Sequence, residues 1–96
     1  MVTIEKLKEV HSKYSKNEYW NEFYRRAPSA KCKLYIVLDW YYGDTGDETG
    51  LEKRQEVYND LSTTDLEHIL AYSQHTPKYA KIRKRIRELK EQEIAK

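Results

Sequence analysis

The sequence predicts an all-α protein, a compact small bundle of five to six helices with room for at most a short strand near 33–38. Apolar residues recur at spacings of three and four along most of the chain, the period of a helix with one buried face. Ser15/Glu18, Thr49/Glu52 and Thr64/Glu67 each match the capping-box pattern, in which a hydroxyl and a carboxylate three residues apart close a helix N-terminus. Twelve aromatic residues against two prolines and three glycines also set the chain apart from disordered ones, which are poor in aromatics and rich in proline and glycine.

Taken in order, Thr3 is placed to cap a first helix that carries Ile4, Leu7, Val10, His11 and Tyr14 on one face. The chain restarts at Ser15 or Asn17 into a second helix with Tyr19, Trp20, Phe23 and Tyr24. It ends near Ala27, because the residue before Pro28 disfavours the helical region. Residues 29–42 form the most apolar stretch. A strand fits their β-branched and aromatic content; a helix fits the grouping of Leu34, Val37, Leu38 and Tyr41. The helix is the better reading, because a lone strand would have an unpaired edge and no partner.

Gly43 to Gly50 reads as a turn-rich loop. Thr49 then opens a helix with Leu51, Tyr58 and Leu61 inward and Val57 alongside, and Thr64 opens a short one with Leu66, Ile69 and Leu70. Thr76 caps the last helix, with Pro77 at its first position. Leu7, Val37, Leu38, Leu61, Leu66, Ile69, Ile82 and Ile86 are the expected core, within one domain covering residues 1–96.

Charge is unevenly distributed. Residues 44–67 carry eight acidic and two basic side chains, whereas 68–96 carry eight basic and three acidic ones. Such polarity bears on partners, not on fold. The most pronounced feature is the last helix. Lys78, Lys81, Arg83, Lys84, Arg85, Arg87 and Lys90 surround a narrow apolar seam of Tyr79, Ile82, Ile86 and Leu89, which predicts docking by one stripe and a wide basic face in water. That face suits an acidic protein surface or phosphates. It also has a plain explanation as a solvated face with intrahelical pairing of Lys84 with Glu88 and Arg87 with Glu91. A DNA-binding helix-turn-helix is not supported. Its turn carries a glycine and an apolar residue, and the link here is Tyr72-Ser73-Gln74-His75-Thr76-Pro77.

The acidic loop from Asp44 fails the EF-hand template. Gly46 stands third, Thr49 stands sixth where glycine is needed, and Gln55 stands twelfth. Acids ahead of a helix also favour its dipole without any ligand. The aromatics form most of the core, but neighbours on a helix point about 100° apart, so some of Tyr24, Tyr35 and Tyr42 should remain exposed for contacts of the hot-spot kind. His11, His68 and His75 lack metal-ligand spacing, and His11 fits the polar edge of a core face. Lys31 and Lys33 would lower the Cys32 thiol pKa somewhat, yet no histidine stands in a recognised relation to it. No phosphate-cradling glycine loop or hydrolase elbow occurs.

The expectation is therefore a small non-enzymatic protein-interaction module, a regulator, inhibitor or accessory subunit, with no cofactor, no metal and no membrane. The alternative is a nucleic-acid binder using the basic last helix, against which the acidic stretch counts. The lone cysteine and the lack of a secretory leader or apolar span fit a cytoplasmic location.

Overall fold

A computed structural model describes residues 1–73 and 76–95. Helices follow one another as α1 (Ile4–Tyr14), α2 (Glu18–Arg25), α3 (Ala30–Thr45), α4 (Glu48–Asn59), α5 (Thr63–Ala71) and α6 (Lys78–Ala95), and no strand occurs among the described residues. Helix α3 is the centre, with α1, α2 and α4 packed on it and α5 on α6. This resolves the apolar stretch. Ser29 takes the N-cap, its hydroxyl accepting the Cys32 N–H, and Cys32, Tyr35, Ile36, Val37, Leu38 and Tyr41 are all buried. They point in several directions because neighbours cover more than one side of the helix, and a helix apolar nearly all round is one so enclosed.

Helix boundaries depart from the sequence reading where several capping residues compete. Thr3 caps α1 as predicted. Of the two candidates before α2, Asn17 is the cap and accepts the Trp20 N–H; Ser15 instead ends α1, and its pairing with Glu18 does not form a capping box. The loop expected over 43–50 is much shorter. Helix α3 runs through Gly43 to Thr45, Gly46 closes it in the left-handed region at φ 69°, and Asp47, not Thr49, caps α4. Gly50 lies inside α4, where a Cβ would stand 2.7 Å from the Tyr41 ring. The missing side chain there allows α3 and α4 to approach closely.

Helix α5 begins two residues earlier than the Thr64/Glu67 pattern implied. Ser62 is the cap and Asp65 completes a true capping box. In this register Leu66 and Ile69 face the core and Asp65 reaches across to Ser29. Helix α6 begins at Lys78, after Pro77, and the Thr76 hydroxyl donates to the Ser73 carbonyl. Gln74 and His75, which belong to the predicted α5–α6 link, and Lys96 lie outside the described residues.

Of the expected core, Val37, Leu38, Leu61, Leu66, Ile69, Ile82 and Ile86 are buried. Leu7 is only half-buried, because α1 covers α3 from the rim and commits Val10 as its one buried residue. Leu34 and Leu51 are half-buried as well, and Ile4 is exposed. No helix among the described residues is long and apolar enough to cross a membrane.

Candidate functional site

The seven basic side chains of α6 separate into two groups. Ile82 and Ile86 are buried and Tyr79 and Leu89 half-buried, so the helix docks by the predicted seam. Lys78 is not free. Its ammonium bonds the carboxylate of Asp39 on α3, which also takes Arg54 of α4 at 2.6 Å. Arg85 is half-buried, with a buried Nε that has no hydrogen-bond partner among the described residues and a guanidinium 3.9 Å from Glu88. Lys90 pairs with Glu67 of α5 at 3.3 Å, and Lys81 lies 5.1 Å above the Tyr58 ring. Arg83, Lys84 and Arg87 remain exposed with no carboxylate partner among the described residues. The predicted Lys84–Glu88 and Arg87–Glu91 pairs do not form; Glu88 turns to Arg85 instead. The wide basic face is thus a compact patch of three cations, with Lys81 on its flank.

On α4, the helix that Lys81 reaches, Glu48, Glu52, Glu56 and Asp60 stand exposed one turn apart. Only Glu56 has a cationic neighbour among the described residues, Lys53 at 3.5 Å. This acidic ridge displays four of the eight acidic side chains of residues 44–67.

The acidic turn is satisfied internally. Asp44 accepts from Tyr14 and pairs with Lys13 at 3.0 Å, and the Tyr14 hydroxyl holds its carboxyl below the usual carboxylate range. Asp47 accepts from the Tyr41 hydroxyl and from the amide and hydroxyl of Thr49, which together push its pKa strongly down. Among the described residues no three His, Cys, Asp or Glu side chains gather as a metal site requires.

Cys32 departs from the expectation drawn from its lysine neighbours. The thiol is fully buried, 3.8 Å from the Asp65 carbonyl, and burial, with the Asp65 charge second, pushes its pKa up to about 12. Lys31 is exposed and the Lys33 ammonium lies 5.7 Å over the Tyr24 ring, and neither offsets the effect of burial on the thiol. The expected result is that a soluble disulfide reagent leaves Cys32 unlabelled at pH 8 in native protein and labels it stoichiometrically in urea, because the thiolate is the reactive form. Labelling of the native protein at the rate of a free thiol would refute this placement.

A second site was not legible in the sequence. Between α2, the middle of α3 and the ends of α5 and α6 lies a cleft of about 470 Å³. Its walls are largely aromatic. Phe23 meets Tyr72 at 4.6 Å, Tyr14 meets Trp40 at 4.7 Å, and Trp20 stacks on Tyr24. The exposed aromatics among the described residues are two of its lining residues, Tyr19 at 64% and Trp40 at 40%, where the sequence reading expected some of Tyr24, Tyr35 and Tyr42. Tyr35 is buried, and Tyr24 and Tyr42 half-buried. Asp39, with its two cations, stands at the polar end of the cleft. The one sequence signal for that end was a lone acid within the most apolar segment of the chain.

His68 is committed to structure, its Nε2 lying 2.7 Å from the Phe23 carbonyl oxygen. His11 packs edge-on against Trp20, as its place at the edge of a core face implied. Comparison with known protein families, curated proteins and solved structures finds no match to this chain.

Proposed function

We propose that this protein is a small non-enzymatic protein-interaction module, a regulator, inhibitor or accessory subunit, that presents the outer face of α6 to an acidic surface of a protein partner. The observation that supports it is the patch of Arg83, Lys84 and Arg87, exposed and without a carboxylate partner among the described residues, on a helix already anchored from below by Ile82 and Ile86. A rigid helix carrying uncompensated charge attracts a complementary surface and speeds encounter. The acidic ridge on α4 favours a protein over a nucleic acid, because Glu48, Glu52 and Glu56 are exposed on the same small domain and a polyanion gains less from a surface of mixed sign. A cytoplasmic location belongs to the same reading, supported by the single unpaired cysteine.

The test is the triple change Arg83→Gln, Lys84→Gln and Arg87→Gln. Glutamine keeps helix propensity close to that of the residues it replaces, so unfolding should shift by less than about 1 kcal/mol. A partner captured by the parent protein in the presence of nuclease, purified and recombined, should associate roughly tenfold more slowly with the variant at low salt. Unchanged association would remove α6 from the interface. Capture lost on nuclease treatment, together with duplex DNA binding that weakens steeply with salt, would establish the nucleic-acid alternative instead.

A further inference from the structure

The aromatic cleft is separate from the outer face of α6 and carries its own chemistry. Its volume, about 470 Å³, lies in the range of small-molecule sites, which are concave, mostly apolar and fitted with a few polar groups at one end. Trp20, Phe23, Trp40 and Tyr72 present flat apolar walls to it, which suit a flat ring by stacking and edge contacts.

The polar end decides the charge of the occupant. An aromatic box with a carboxylate would ordinarily attract a cation. Here the cation is already resident, since Lys78 lines the cleft and bonds Asp39, and Arg54 bonds the same carboxylate from behind. Two cations thus stand against one carboxylate. The ammonium has three protons, of which the two oxygens of Asp39 take two. The uncommitted charge is positive, and the ammonium of Lys78 keeps a proton to donate, so the cleft selects against a second cation and for an anionic acceptor.

We propose that this cleft binds a small planar aromatic anion, with the ring between Trp40 and the Phe23–Tyr72 wall and the anionic group at Lys78. Binding rests on ring burial, and charge selection on the excess of cations over the Asp39 carboxylate.

The experiment compares three probes of one ring size: 2-naphthoate, 2-naphthalenemethanol and 2-naphthylmethylammonium. Each is titrated into the intact protein while the two indole N–H signals are followed by two-dimensional NMR. A fragment of this size binds with a Kd on the order of a millimolar. The expected order is carboxylate, then alcohol, then ammonium, with saturable shifts at Trp20 and Trp40. Trp40→Ala, at a position 40% exposed, should weaken naphthoate about tenfold, with circular dichroism checking that the variant is folded. Lys78→Gln should abolish the advantage of naphthoate over the alcohol while leaving the alcohol bound. Equal binding of all three probes would overturn the proposal and mark the cleft as a plain apolar groove for a partner's side chain. Preference for the ammonium, or no saturable shift up to 10-fold above that Kd, would overturn it as well.

Discussion

Replacing Leu38 by alanine should lower the unfolding free energy by about 2–5 kcal/mol, the range for deleting a large apolar side chain from a packed interior. Leu38 is fully buried on α3, the helix against which α1, α2 and α4 all pack. A cavity there has walls from several helices and cannot close by the shift of one. A domain of this size holds only about 5–10 kcal/mol in reserve, so the variant should be partly unfolded at 37 °C. Urea unfolding followed by circular dichroism gives the number. Ile4→Ala on the exposed rim of α1 is the control and should change stability by less than about 0.5 kcal/mol. A Leu38→Ala midpoint equal to that of the control would mean that α3 is not the centre of the packing.

The second large effect is expected at Asp65. This carboxylate is buried and joins two helix starts. One oxygen accepts the Ser29 hydroxyl at 2.8 Å, and Ser29 itself caps α3; the other accepts the Ser62 N–H at 3.1 Å, closing the capping box of α5. Asp65→Ala removes a cap contribution of about 1 kcal/mol and leaves the Ser29 hydroxyl without its acceptor at about 1–3 kcal/mol. The expected loss is therefore about 2–4 kcal/mol. Asp65→Asn keeps one acceptor and turns a donor toward the other contact, so it should fall between alanine and the parent. Amide exchange should accelerate in the first turns of α3 and α5 together, because one side chain holds both. If only α5 responds, the bond to Ser29 carries no weight and Asp65 is a local cap.

The two sites differ in how far the sequence announced them. The basic patch was visible because charge on a helix follows from spacing alone, and the seam of Ile82 and Ile86 placed the cations outside it. Their commitments were not visible. Nothing local says that Lys78 belongs to Asp39, that Lys90 belongs to Glu67, or that Arg85 is half-buried while Arg83 and Arg87 are exposed. The cleft left almost no trace, because its walls come from α2, α3 and the end of α5, and each contributes aromatics that read singly as core.

By itself the sequence determined that the chain is helical, roughly where each helix lies, and which stripe of α6 faces inward, but of α3 only that Val37, Leu38 and Tyr41 do. Those properties depend on neighbours three or four positions apart, and the chain states them directly. Tertiary structure decided which of several capping residues acts, which tyrosines and tryptophans reach the surface, and which lysines and arginines stay free. Ser29 with Asp65, Asp39 with Lys78 and Phe23 with His68 are separated by 36, 39 and 45 residues. Such partners meet only when hydrophobic burial has brought the helices together. The choice among caps then goes to whichever residue satisfies a buried group, as Ser62 does by placing Asp65 within reach of Ser29.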